Sequence, residues 1–239
     1  MLNYRHFAAA AALATLAATA RGAVPPAAAS IAPFSARYVA QWKSISVGSS
    51  DLVLAADGAP GRYVYTWRIT ARGIFHLIYS HDVVQKSWFR LDADRVLPER
   101  YEAEDGSSRM KLDFDWNTAR AQGEVSGKPV DLALKAGTQD LMSIQIQVMQ
   151  DLMRGELPPR FWILDKDQIK DFDYAIEGRS RIRTALGELD TVIVTSRRPD
   201  GDRVLRMWFA PSLGYIPVLA ERTRGGRLEF TMRIQRLTR

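Results

Sequence analysis

From Phe34 onward, hydrophobic and polar side chains alternate with a period of two. In YVYTWRIT (63–70), Tyr63, Tyr65, Trp67 and Ile69 fall on one face, opposite Val64, Thr66, Arg68 and Thr70. KLDFDW (111–116) sets Leu112, Phe114 and Trp116 against Lys111, Asp113 and Asp115, and RLEFTMRIQR (227–236) repeats the pattern with Leu228, Phe230, Met232 and Ile234. One apolar and one wet face per strand is the signature of antiparallel pairing. Asp57-Gly58, Asp105-Gly106, Ser126-Gly127, Leu186-Gly187, Asp200-Gly201 and Gly225-Gly226 punctuate the runs. Such pairs supply the positive φ that tight hairpins need. The pattern predicts strands near 34–44, 47–55, 62–71, 82–91, 96–104, 107–116, 119–125 and 129–134. A second set is predicted near 160–165, 170–177, 179–185, 188–197, 202–210, 215–223 and 227–237.

Between the two sets the period changes to that of a helix, predicted over 139–154. Thr138 is the expected N-cap, Asp140 favours the first turn, Arg154 the last, and Gly155 followed by Pro158-Pro159 ends it. Leu141, Met142, Ile144, Ile146, Val148, Met149, Leu152 and Met153 spread over an arc of about 200°, wider than an ordinary surface helix buries. Such a helix is covered on more than one side, by sheet or by something bound. The expected fold is therefore all-β (β-rich with one main helix). Its sheet is a strongly curled antiparallel meander, a barrel or half-barrel, with the 139–154 helix packed against the concave face.

The first residues change the picture of where this domain works. Arg5, the apolar run Phe7 to Ala18 and Ala18-Thr19-Ala20 read as a secretory signal peptide over 1–20, with cleavage after Ala23 as the alternative. The apolar run falls short of the ~20 residues that span a bilayer. Residues 24–33 read as a Pro/Ala linker, leaving 34–239 as a single β-rich domain. The chain contains no cysteine, hence no lipobox and no disulfide. Periplasmic, non-lipidated export is the expectation. The formal net charge is +6, with ten Arg against four acids in 197–239. A basic end of this kind suits anionic lipid headgroups or nucleic acid, but those Arg alternate along strands, which favours solvated faces.

Chemistry is sparse. His76 and His81 flank FHLIYSH without a third ligand, so no metal site is expected. Asp165, Asp167, Asp171 and Asp173 start like a calcium loop but lack its Gly and Glu. No nucleophile elbow, Ser-x-x-Lys or phosphate loop occurs, so nothing supports an enzyme or a cofactor. The six Trp are dispersed over different strands. Large aromatics commonly fill a curled core, but several sharing a concave face would line a cavity for an acyl chain or a sugar. If a cavity exists, its candidate wall is Met142, Ile146, Met149 and Met153 from the helix, with Trp67, Trp116 and Trp208 opposite.

Four stretches carry a resemblance: RVLPERYEAEDGSSRMKLDFDW (95–116), TQDLMSIQIQVM (138–149), ELDTVIVTSRR (188–198) and MWFAPSLGYIPVLAE (207–221). Together they resemble DUF3108, a bacterial exported family. The resemblance implies an exported β-rich protein and assigns no catalytic residue. The expected function is an exported envelope protein binding an apolar ligand such as a lipid. The alternatives are an envelope interaction protein with a filled core that docks a protein partner, and a glycan- or lipid-acting enzyme.

Overall fold

The computed structural model describes residues 31–43, 45–71, 82–93, 95–106 and 108–239. Residues 1–30, which hold the expected leader and most of the expected linker, lie outside the described residues, as do His76 and His81. The first eight strands are β1 (Phe34–Trp42), β2 (Ile45–Ala56), β3 (Arg62–Ala71), β4 (Val83–Asp92), β5 (Arg95–Glu104), β6 (Arg109–Asp115), β7 (Arg120–Val125) and β8 (Lys128–Ala133). A two-residue β9 (Gln139–Asp140) and helix α1 (Ser143–Arg154) follow. The second set is β10 (Arg160–Asp165), β11 (Gln168–Thr184), β12 (Gly187–Arg197), β13 (Arg203–Ala210), β14 (Ile216–Arg224) and β15 (Arg227–Thr238).

All strands join one sheet in the order β8-β7-β6-β5-β4-β3-β2-β1-β15-β14-β13-β12-β11-β10-β9. Each hairpin pairs antiparallel with its predecessor, as the alternation and turn residues dictate. Two joints are not hairpins. The first strand pairs with the last, Tyr38 opposite Ile234, and β9 adds in parallel to β10, Gln139 opposite Ile163. The ladder does not close, because β8 and β9 end it.

Two expected boundaries are corrected. The helix begins at Ser143 rather than 139, because Gln139 and Asp140 extend the sheet. Thr138 is not its cap: its hydroxyl donates to Lys135 O at 2.8 Å and closes a local turn. The strands expected at 170–177 and 179–185 are one 17-residue β11, with a register shift between Ile176 and Gly178. Glu177 is the extra residue of a bulge within a continuous strand, and Gly178 resumes the pairing opposite Ile193.

The core lies on one face of this sheet. Directly paired side chains share a face, and the row Leu112, Tyr101, Ser87, Tyr65, Leu54 and Phe34 crosses six strands. Every member is buried. The helix packs against this side, with Ile146, Val148, Met149 and Leu152 almost fully buried. Each such side chain contributes about 1.5–3 kcal/mol from water exclusion. Gly155 ends the helix at φ 77°, as the sequence implies.

Candidate functional site

The surroundings of α1 divide into a closed polar seam at its start and an open apolar cleft at its end. The seam begins with Asp140. Its Oδ1 accepts from Met142 N at 2.7 Å and Ser143 N at 2.8 Å, and Ser143 Oγ accepts from Asp140 N at 2.9 Å. This reciprocal arrangement has the form of a capping box but sits ahead of the N-cap residue, Met142: it fastens the turn that leads into the helix and gives the Ser143 amide a partner. Oδ2 accepts from Ser87 Oγ of β4 at 2.6 Å, which ties that turn across to the opposite part of the sheet. One turn along the helix, Gln147 Oε1 accepts from Val96 N of β5 at 2.8 Å, and Gln139 Nε2 donates to Val96 O at 2.9 Å. Gln147 Nε2 donates to Asp151 Oδ1 at 2.8 Å, and Arg154 pairs with the same carboxylate. Gln145 donates to the buried Tyr65 hydroxyl.

Asp140 is fully buried, and burial pushes its carboxyl up to about 6, although hydrogen bonds from Ser87, Ser143 and Met142 favour the charged form. Burial raises the Tyr65 and Tyr101 hydroxyls as well. The seam's donors and acceptors point at one another, and Gln139 Oε1 is a buried acceptor with no partner in the structure. Such a network positions the helix. Sequence reasoning missed it, although the D-x-x-S spacing of Asp140 and Ser143 is a legible capping signal.

At the other end of α1, Met149 and Met153 border an open cleft of about 310 Å³. Phe34, Leu213, Tyr215 and Ile216 supply the facing wall, and Arg239 stands at its margin. Gly214 lies beside both Arg239 and Met153; an added Cβ there would sit 3.3 Å from Arg239 Nη2. A larger depression of about 540 Å³ lies elsewhere, lined by Arg68, Lys86, Glu102, Glu104, Arg109 and Lys111 among others. Arg109 and Glu104 pair there at 2.9 Å, and Val84, Ala103 and Met110 line it between the ions, so its surface is a mixture of charged and apolar groups.

The seven candidate wall residues are not brought together. Met149 and Met153 reach the open cleft. Met142 and Ile146 sit in the closed core, 4% and 0% exposed. Trp67 shares the helix-facing side, paired with Leu52 and Gln85, and its Nε1 donates to Ser50 Oγ. Trp116 stacks on Phe114 and donates to Pro98 O at 2.7 Å. Trp208 is misplaced by the sequence reading. Its neighbour Met207 belongs to the row Val194, Met207, Ala220, Met232 and Ala40, which continues the helix-facing side. Trp208 pairs instead with Ile193 and Leu219, on the other face. Alternation decides this: adjacent residues of a strand cannot share a side.

The sequence profile of the family described as protein of unknown function (DUF3108) matches residues 37–233. No curated protein matches the chain. Two solved structures resemble it in outline. One is a Bacteroides fragilis protein described as exported and of YmcC-like fold, 7% identical, with TM-score 0.37, covering 86% of this chain and 95% of its own. The other is a Parabacteroides distasonis protein described as a lipoprotein, 9% identical, with TM-score 0.39, covering 87% of this chain and 96% of its own. Among the described residues, no helix is long and apolar enough to cross a membrane.

Proposed function

Because the chain belongs to the DUF3108 family, we propose a family-wide frame for it: an exported protein of the cell envelope that binds an apolar ligand, such as a lipid chain, beside α1. Export rests on the leader pattern of residues 1–20, or 1–23, followed by a linker to residue 33 and the working unit 34–239. That leader pattern favours the periplasm as the place where the protein works.

The observation that carries ligand binding is the cleft at Met149 and Met153. Its volume of about 310 Å³ falls at the low end for small-molecule sites. Methionine walls repack around varied apolar shapes, and the guanidinium of Arg239 suits the acidic head of an amphiphile. The seam at the other end holds the helix still, so the cleft keeps its shape.

In this reading the sheet wraps into a half-barrel around the helix. Only residues 134–138 join β8, at one end of the ladder, to β9 at the other. Fifteen strands laid flat would span ~67 Å at ~4.8 Å per step, whereas that linker reaches at most ~21 Å. Packing of β9 against β5 supports the same curvature.

The test is displacement of a fluorescent fatty-acid analogue from protein purified after expression of the full chain, paired with organic extraction of that protein. Met153 is only partly buried, so Met153→Glu should fold and lose analogue binding at least tenfold. No lipid in the extract, together with no analogue binding by the unaltered protein, overturns the reading.

A further inference from the structure

A second feature stands apart from the cleft. Among the described residues five large hydrophobic side chains are exposed, and three of them stand on two neighbouring hairpin tips: Trp42 (37%) and Ile45 (59%) on one face, and Leu228 (41%) on the other, because a register shift after Arg222 pairs Leu228 with Thr223. The β1–β2 and β14–β15 turns are held together, with Lys43 N donating to Glu229 O at 2.9 Å. Ile45 pairs with Trp42, Trp42 with Phe230, and Phe230 with Arg222, so these four form a continuous row on one face. The Arg222 guanidinium lies 5.7 Å from the ring centres of both Trp42 and Phe230.

Cations surround the row. Lys43, Arg203, Arg222, Arg224 and Arg227 outnumber Asp202 and Glu229. Arg224 pairs with Asp202, while Arg203 and Arg222 share Glu229. Lys43 and Arg227 are exposed, with no ion-pair partner among the described residues. Tryptophan and aliphatic side chains ringed by basic residues are the composition of the membrane–water interface. A protein partner fits less well. Three part-exposed side chains present on the order of 300 Å² of apolar surface, short of the roughly 450 Å² of apolar surface per partner that a stable protein interface buries.

We propose that these two hairpin tips dock the protein on an anionic lipid bilayer, with Trp42, Ile45 and Leu228 entering the interface and Lys43 and Arg227 facing the headgroups. This is separate from ligand binding in the cleft: a protein with an empty cleft would still dock, and a docked protein need not carry a ligand. Two exposed cations, each worth about fivefold in partitioning, set the expected effect at about 25-fold.

The experiment is co-sedimentation of the protein, purified after expression of the full chain, with phosphatidylcholine vesicles containing or lacking phosphatidylglycerol. It is run in low salt and in ~1 M NaCl, where the screening length falls to about 3 Å. Comparing variants on the same chain cancels any contribution from residues 1–30. The unaltered protein should bind the anionic vesicles and release in high salt. Lys43→Gln with Arg227→Gln, both exposed and safe for folding, should lose binding about 25-fold, and Ile45→Ser should weaken it independently of salt. Indifference of the unaltered protein to phosphatidylglycerol overturns the proposal. So does equal binding by the double variant, or a concentration-dependent dimer that the same substitutions dissociate, which would make the patch a contact between two copies.

Discussion

The buried carboxylate of Asp140 makes the stability of this fold depend on pH in an unusual direction, and Asp140→Asn isolates the effect. Its folded value of about 6 lies above the ordinary 3.8 because burial outweighs the hydrogen bonds that favour its charge. The folded state therefore holds the proton more tightly than the unfolded chain does. Its contribution is fully present below pH 3.8 and is lost as pH rises through about 6. The separation of those values corresponds to about 3 kcal/mol at neutral pH. Asparagine keeps an oxygen for the Met142 and Ser143 amides, and its NH₂ can donate to Ser87 Oγ in place of the bond received from it. The assay is equilibrium urea unfolding of both proteins from pH 4 to pH 7.5. Exposed carboxylates such as Asp115 and Asp131, held below their usual range, push the other way, but they are common to both proteins and cancel in the difference. The stability of Asp140→Asn relative to the unaltered protein should rise by roughly 2.4 kcal/mol between pH 4 and pH 7, because at pH 4 the unfolded carboxyl is already partly ionised. A difference that is flat across that range, or that shrinks with pH, refutes the claim that burial controls this carboxyl.

Three further outcomes follow from the same packing. Gln147→Leu leaves the Val96 amide without its acceptor and should cost about 1–3 kcal/mol, read by denaturant unfolding, with faster hydrogen exchange at Val96. Gly123→Ala places a Cβ 2.0 Å from Lys111 O at a φ of +155°; thermal unfolding should show a loss of at least ~2 kcal/mol. The exposed Arg206–Glu177 pair, bonded at 2.6 and 2.8 Å, should matter little: Arg206→Ala is expected to change stability by less than ~1 kcal/mol in the same measurement.

The strands were legible because alternation and turn chemistry are local. Asp57-Gly58 and Gly225-Gly226 fall in the turns they announce, and most strand ends agree within two residues. What escaped the sequence depends on distant partners. Thr138 is an acceptable cap on local grounds, but the helix starts later, with Met142 at its N-cap, and Asp140, held in β9 by pairing with β10, accepts from the Met142 and Ser143 amides instead. The seam was invisible as a unit, since Ser87, Val96 and Gln147 meet only after the sheet forms. For the candidate wall, helical periodicity selects apolar positions without telling those under the sheet, such as Ile146, from those at an opening, such as Met153. Trp208 shows the complementary failure: an aromatic in a strand announces burial but not the side on which it is buried.

The joint between β1 and β15 has a consequence for how the chain reaches its native state. The first strand pairs locally with β2, yet its other edge waits for a strand roughly two hundred residues later. Hairpins on either side can form early, but that central ladder closes only after a long loop has been ordered, the kind of contact that slows folding most. Until then β1 presents an open edge carrying Tyr38 and Ala40, a template for pairing with the wrong chain. In a chain synthesised from its N-terminus, that edge emerges first and is satisfied last, so the interval between the two sets its exposure to aggregation.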